Sequence, residues 1–372
     1  MPKTAVIVLN YNGQKYLTEL FDSLNKTVYP QADWQIFFVD NASIDESLAW
    51  AQKHYPKCRF IKNEKNFGFA GGNNVGLQAA LKENFDYVVL LNQDTTVEPD
   101  WLARLVEKAE SDKTIGAAQS LLLLYDQPDL INTAGNHLHY LGFGWAGQYK
   151  TKACSILSTP LSAESAGRTE QIDYASGAAV LYRSSVLKTA GLLDDKFFLY
   201  HEDLDLSWRL RLAGCLIVLA PQSRVYHKYE FSRNRTKFYF TERNRLICFL
   251  ANYSLKTIIL FLPALVFIES AVLLYAALGY FLSRSCKKNK ISNTHPEDNL
   301  LNDKIKGYGW IFKNFSYIIK KRRYVQSRRT VSDSEIIKYM KGDLEFAGIQ
   351  NPLARLAGVA LKLYFKIIKQ LV

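Results

Sequence analysis

The stretch DYVVLLNQDTTVEPDW, residues 86–101, sets an apolar run of buried-strand character against an abrupt polar end at Asn92, Gln93 and Asp94. Amides beside a carboxylate at a strand end are equipped to grip a polar ligand. The same residue types also suit a plain turn, with Asp94 opening it and Thr95, Thr96 or Asp100 capping a helix after Pro99. Three further apolar runs end in polar side chains, at Asn10, at Asp40 followed by Asn41, and at Asn63. One such end is turn chemistry; four on one edge would make a site.

The elements that must position these ends follow from hydrophobic pattern. The runs TAVIVLN, WQIFFVD, CRFIKN, DYVVLLN and IGAAQSLLL alternate with amphipathic stretches through the first third of the chain. That rhythm predicts an α/β fold, a mostly parallel central sheet flanked by helices. In such sheets ligands bind outside the carboxyl ends of the strands. Residues 125–172 carry no clear period and read as a loop or hairpin insertion. A second ordered block from Tyr174 predicts a strand, a short helix, the aromatic loop FFLYH, a helix over about 203–213 and a strand ending at His227. After it, FYFTERNRLICFL reads as helical, and no internal repeat is visible.

With 372 residues, 48% hydrophobic and 13% aromatic, the chain is not generally disordered and has room for one large domain plus additions. Cys58, Cys154, Cys215, Cys248 and Cys286 are widely spaced with no CxxC pair, which fits a reducing setting and suggests neither a zinc site nor a disulfide framework. The opening MPKTAVIVLNYN turns polar too early for a secretory signal. Residues 251–372 hold 20 Lys and Arg against 8 Asp and Glu, which accounts for the whole net charge of +12. A charge-balanced domain followed by a basic appendage is the natural reading.

Between Lys256 and Arg284 only Glu269 is charged, so the segment is long enough to cross a bilayer core. One crossing would separate the basic appendage from the basic flank of Arg233, Arg235, Lys237, Arg243 and Arg245, against the positive-inside rule. Pro263 and Glu269 also interrupt its middle. The expectation is therefore two shorter helices that enter and return or lie in the interface, with a soluble helical hairpin as the alternative. Near the end, Lys362, Lys366 and Lys369 share a helical face, with Leu356, Val359, Leu363, Ile367 and Leu371 elsewhere around it. A basic amphipathic helix suits an anionic lipid surface, whereas no module for nucleic acid is recognisable.

Five stretches taken together, VIVLNYNG, FFVDNASID, NFGFAGGNNVG, LLNQDT and FLYHEDLDLSWR with the later VYH, resemble in order and spacing the family 2 glycosyltransferases. These are inverting enzymes with a GT-A type nucleotide-diphospho-sugar transferase fold, and the rhamnosyltransferase-like bacterial branch is the most similar. The resemblance covers residues 4 to about 250. It implies a GT-A domain over 1–250, an apolar helical membrane-associated segment over 251–285 and a basic helical region over 286–372.

The resemblance assigns roles residue by residue. Tyr11 would stack on a pyrimidine, and Asp40 with Asn41 would meet the base or ribose. Gly68, Gly71 and Gly72 would let backbone approach the ligand, with a helix N-terminus near Ala70 aimed at it and Asn73 and Asn74 adding donors. Asp94 would bind a divalent cation, Mg²⁺ or Mn²⁺, bridging the donor phosphates, and His227 would be its second protein ligand. Asn92 stands where the fuller D-x-D pattern has its first acid. Asp203 would be the catalytic base and Glu202 would orient the acceptor.

Each residue also has a local reading: a surface tyrosine, an Asx-turn at Asp40, glycines that only tighten strand-to-helix packing, a structural histidine, first-turn acids favoured by the helix dipole. Asp205 and Arg209 read as an i,i+4 ion pair. Arg243 and Arg245 read as phosphate contacts or solvated helix arginines.

The implied activity is transfer of a sugar, rhamnose among the candidates, from a dTDP- or UDP-sugar to a glycan or lipid-linked acceptor in bacterial cell-surface polysaccharide synthesis. The place implied is the cytoplasmic face of the plasma membrane, held peripherally or by a re-entrant segment. A non-catalytic, membrane-bound nucleotide-sugar-binding protein is the rival, and it would need Asp40 and Asp94 but not Asp203. A nicotinamide dehydrogenase would want G-x-G-x-x-G after the first strand, which LNYNGQKY does not supply, and no P-loop motif occurs.

Overall fold

The computed structural model describes residues 1–157, 171–228, 237–286, 296–344 and 352–372. The chain forms two compact units, Met1–His137 with Gly144–Phe231, and Leu138–Phe143 with Ser232–Val372.

The first unit is built on β1 (Thr4–Asn10), β2 (Trp34–Asp40), β3 (Arg59–Lys62), β4 (Tyr87–Asn92), β5 (Thr95–Val97), β6 (Ile115–Leu124), β7 (Gln127–Thr133), β10 (Ala179–Arg183) and β11 (Leu216–His227). They form one sheet in the order β3-β2-β1-β4-β10-β6-β11-β5, with β7 added to β6. The first four strands of that order are parallel, so Asn10, Asp40, Asn92 and the residue after β3, Asn63, share one edge. β10 runs antiparallel to β4 and β6, and β11 is parallel to β6. Two short strands, β8 (Asn136–Leu138) and β9 (Gly144–Ala146), pair with each other where only a loop or hairpin insertion was expected. Residues 158–170 of that insertion lie outside the described residues.

The helices are α1 (Gln14–Leu24), α2 (Ser47–His54), α3 (Gly68–Lys82), α4 (Trp101–Glu110), α5 (Cys154–Leu157), α6 (Ser184–Ala190) and α7 (Glu202–Leu212). Alternate side chains of β1 explain why the sheet needs helices on both faces. Val6 and Val8 pack with Leu20, Phe21, Trp101 and Leu105 of α1 and α4. Ala5 and Ile7 pack with Ala70, Leu77, Leu187 and Leu206 of α3, α6 and α7. A strand buried on both sides must read as a continuous apolar run, as β1 does.

The second unit is helical: α8 (Lys237–Asn252), α9 (Leu255–Cys286), α10 (Pro296–Lys313), α11 (Phe315–Ser327), α12 (Asp333–Ile337) and α13 (Pro352–Ile368). Two expectations change here. The division falls near residue 231 rather than 250, because α8 packs with α10 and α11. The segment 251–285 is not a domain of its own, and α9 is one 32-residue helix rather than two shorter ones. It continues through Pro263 because Phe261, Ala264, Leu265 and Ile268 are buried on both sides of it, which offsets the ~3 kcal/mol that an interior proline costs.

Glu269 does not break α9 either. Its carboxylate is paired with Arg245 and Lys304 and takes the Tyr308 hydroxyl. Burial works to raise its pKa, but the two cations prevail and hold it below the ordinary value. Arg245 is 1% exposed and also binds Glu242 and the Leu141 carbonyl, and Arg243 is buried with its guanidinium 4.6 Å from the Trp310 ring centre. Both arginines are therefore internal to the helical unit rather than solvated. Arg233 and Arg235 lie outside the described residues.

Candidate active site

Register brings the first pair of site residues together. β5 pairs antiparallel with the end of β11, Thr95 opposite His227, so Asp94, the residue before β5, meets the last residue of β11. His227 Nε2 lies 3.5 Å from Asp94 Oδ1, and the Asp94 carbonyl accepts the Lys228 N–H at 2.9 Å. On the other side of the ring, Nδ1 is 3.0 Å from Asn132 Oδ1 on β7. A donor hydrogen bond from Nδ1 fixes the tautomer that turns the Nε2 lone pair toward Asp94. A carboxylate oxygen and an imidazole nitrogen this close would suit a divalent cation, with Asp94 and His227 as the residues that would hold it. Among the described residues no group of three or more His, Cys, Asp and Glu side chains gathers to hold an ion.

The acid pair starts α7, behind a loop of unusual backbone. Phe198, Tyr200 and His201 have φ of 63°, 66° and 67°, a region that costs a non-glycine residue about 1–3 kcal/mol. The loop is held from outside itself. The Phe198 carbonyl accepts the N–H of Phe69 at 2.6 Å and of Ala70 at 3.3 Å, and Asn74 exchanges hydrogen bonds with the backbone of Leu193. This places Asp203 with Oδ2 accepting the Gly177 N–H at 3.1 Å and Oδ1 accepting that of Leu204 at 2.7 Å. The neighbouring Ala178 carbonyl accepts the Asn92 N–H at 2.9 Å. Asp203 is thus braced by the segment that closes the end of β4, two residues before Asp94.

Burial acts on both acids of this pair. Burial pushes the Asp203 carboxyl above the ordinary range, partly countered by the N–H groups of Gly177 and Leu204. Glu202 is 5% exposed, and Oε2 is buried with no hydrogen-bond partner among the described residues. Burial, then the charge of Asp203, push its carboxyl well above the ordinary range. Asp205 and Arg209 form the expected ion pair at 2.8 Å, and Arg209 also ties down the Ala190 and Leu192 carbonyls.

Several assigned residues do other work. Asn41 uses its whole amide internally, donating to Asn66 and to the Gly68 carbonyl and accepting from Asn63 and the Phe67 N–H. An amide offers two donor hydrogens and one oxygen, so it braces the glycine-rich turn and leaves little for a ligand. A Cβ on Gly72 would lie 2.6 Å from Leu9 Cδ1 and 3.0 Å from Asn41, and one on Gly71 would lie 2.8 Å from Phe67 Cβ. Both glycines therefore serve packing. The α3 N-terminus is occupied by the Phe198 carbonyl, and Asn73 bonds back to the Phe69 carbonyl. Phosphate binding at this helix end is not what the backbone provides.

Asp40 is 1% exposed, taking Asn10 Nδ2 at 3.0 Å and the Ser43 N–H at 3.2 Å. The Asx-turn is thus present, and two of about four carboxylate acceptor positions remain. Tyr11 is 45% exposed on the same edge, its backbone clamped by Gln93, which accepts from the Tyr11 N–H at 2.8 Å. Sequence pattern alone passed over two positioning residues, Asn132 and Gly177, and marked Gln93 only as part of a polar strand end. Gln93 stands inside a quoted motif; the other two lie where no period marks them.

The sequence profile described as Glycosyl transferase family 2 matches residues 5–190, half of the chain. The chain belongs to glycosyltransferase family 2. As a family 2 transferase it is 26% identical over 252 residues to Rhamnosyltransferase WbbL of Escherichia coli K12, covering 63% of this chain and 86% of that protein. It is 27% identical to the N-acetylglucosaminyl-diphospho-decaprenol L-rhamnosyltransferase of Mycobacterium tuberculosis H37Rv, covering 62% and 77%. The low-salt glycan biosynthesis hexosyltransferase Agl10 of Haloferax volcanii is 22% identical, covering 65% and 74%. Among solved structures, GalNAc-T7 with UDP, GalNAc and Mn²⁺ superposes with a TM-score of 0.55 at 16% identity, covering 86% of this transferase and 57% of that chain. Staphylococcus aureus TarS superposes at 0.50 with 16% identity, covering 99% and 55%. The GT-A fold is thereby established, and the chain is an enzyme of the glycosyltransferase class.

Proposed function

We propose that this transferase inverts the anomeric carbon, moving a rhamnosyl or other hexosyl group from a nucleotide-diphosphate sugar to a glycan or lipid-linked acceptor, with Asp203 as the base. The observation that carries the reading is the Asp203 carboxylate fixed by Gly177, one residue from the backbone that closes β4 at Asn92. That link sets a carboxylate of raised basicity on the sheet edge that also holds Asp94 and His227. A base poised above the ordinary aspartate range takes a hydroxyl proton more readily than a solvated one. Glu202, whose charged form is disfavoured by burial and by the charge of Asp203, would orient the acceptor.

On the donor side, Tyr11 supplies an exposed ring for a pyrimidine, Asp40 and Asn92 would meet the ribose, and Asp94 with His227 would hold Mg²⁺ or Mn²⁺. The cation would neutralise charge building on the leaving diphosphate. Asn41, Gly71, Gly72 and Asn73 support that cradle from behind. The acceptor side falls to the insertion between β6 and β10. A membrane location, on the cytoplasmic face of a bacterial plasma membrane, is supported by the apolar α9 and by the name of the mycobacterial relative, whose acceptor carries a decaprenol lipid.

Asp203→Asn is expected to lower kcat by about 10²–10⁴ while leaving binding of a nucleoside diphosphate unchanged. Because the base must be ionised, the acid limb of kcat/KM in the native enzyme should lie above the ordinary aspartate pKa of ~3.9. Full turnover in the variant would remove Asp203 as the base, and lost nucleotide binding would make it a structural residue.

A further inference from the structure

In the second unit α9 and α13 lie side by side and antiparallel. Tyr364 Oη donates to the Leu260 carbonyl at 2.6 Å, the Phe261 and Phe365 rings are 6.2 Å apart, and Lys256 Nζ reaches the Val372 carbonyl at 3.5 Å. This register sets Ile259 level with Ile367, Leu262 with Leu363 and Val266 with Val359. All six side chains are 46–65% exposed. The opposite faces of the two helices carry the core, with Phe261, Ile268 and Leu361 at most 2% exposed. Two helices thus present matched apolar ladders outward, a contiguous patch of a kind that soluble monomers rarely leave bare.

Charge indicates what covers it. Arg355, Lys362, Lys366 and Lys369 are exposed along one border of the α13 ladder, within the part of the chain that holds the whole +12. A second copy laid on this face would bring an identical cationic border with it. An anionic leaflet offers hydrocarbon to the ladder and phosphate to the lysines.

Among the described residues the same segment is the one long and apolar enough to cross a bilayer, since Leu255–Leu278 runs 24 residues with mean hydropathy 2.4. Crossing conflicts with Glu269. Its ties to Arg245, Lys304 and Tyr308 fasten the middle of α9 to α8 and α10, so a span would either break them or drag four polar side chains into hydrocarbon.

We propose that α9 and α13 form a single in-plane face that seats the enzyme on an anionic lipid leaflet, and that α9 does not span it. This deepens the membrane location given above and rests on it for which leaflet is met; the face itself is read from α9 and α13 alone.

The test is flotation of the full-length protein with vesicles of phosphatidylglycerol and phosphatidylethanolamine, and with vesicles of phosphatidylcholine. Binding to the anionic vesicles should exceed binding to neutral ones by about tenfold, weaken at high salt and be reversed by alkaline carbonate. The double variant Leu363→Glu, Ile367→Glu should lose about tenfold of that binding, and Lys362→Ser with Lys366→Ser and Lys369→Ser should lose the preference for anionic lipid. Binding of a nucleoside diphosphate, scored in the same samples, should be unchanged in both variants. Failure to float therefore overturns this proposal while leaving the transferase reading standing. Resistance to carbonate would show a span, and a dimer in vesicle-free solution that the double variant abolishes would show a second copy as occupant; either overturns the proposal.

Discussion

Glu202 shows how little of a side chain's role is written in its type. It reads as a first-turn acid that favours the helix dipole, yet it is buried beside Asp203 with an oxygen that has no hydrogen-bond partner among the described residues. A carboxyl whose pKa is raised by folding holds its proton more tightly in the native state than in the unfolded one. Stability therefore falls as pH rises from the ordinary glutamate value of ~4.3 through the raised value. Glu202→Gln lacks that ionisation, so it should unfold at a higher temperature than the native protein at pH 8, with the advantage disappearing below about pH 4. Equal melting at pH 8 would contradict the burial argument. The same lesson applies to Asn41 and Gly72. Their types fit a ligand cradle, but their hydrogen bonds and contacts are spent inside the protein, which depends on partners that sequence spacing does not reveal. Asp94 and His227 were singled out by the family resemblance, and the register of β5 against β11 brings them within 3.5 Å of each other.

At the scale of elements, hydrophobic period was a sound guide wherever a strand is buried on both faces. β1, β2, β4 and β6 fall on the runs that predicted them, β3 follows its run although it is a half-exposed edge strand, and α7 starts within one residue of its expected position. The misses have physical causes. β5, β8 and β9 are three residues each, too short for a period. β7 is a mostly polar edge strand, and edge strands lose the apolar signature. The α3 start is the element on which the site leans most, because it carries the Phe198 carbonyl and so the approach to the acid pair. Gly68 has φ of +73°, and a Cβ there would lie 2.3 Å from that carbonyl oxygen. Gly68→Ala should destabilise the protein by about 1–3 kcal/mol and lower kcat as the loop before Glu202 shifts. Differential scanning calorimetry with a kcat measurement checks both, and an unchanged midpoint would show that the turn is not held in this way.

Across the whole molecule, the sequence already separated a charge-neutral part from a basic one, and the two compact units follow that division more closely than they follow the apolar segment. Hydropathy marked α9 as a membrane candidate, but it was blind to the ties that make Glu269 part of a folded unit. In the first unit two placements converge: β5 and β11 bring Asp94 and His227 together as the proposed cation ligands, and Gly177 braces Asp203, the proposed base, next to the backbone that closes β4. Calorimetric titration of Mn²⁺ in the presence of a nucleoside diphosphate separates these roles in the most direct way. His227→Ala should abolish most of the cation binding, Asn132→Ala should weaken it by about 10–100-fold through loss of ring orientation, and Asp203→Asn should leave it unchanged. Cation affinity that survives His227→Ala intact, or that falls with Asp203→Asn, would contradict the account.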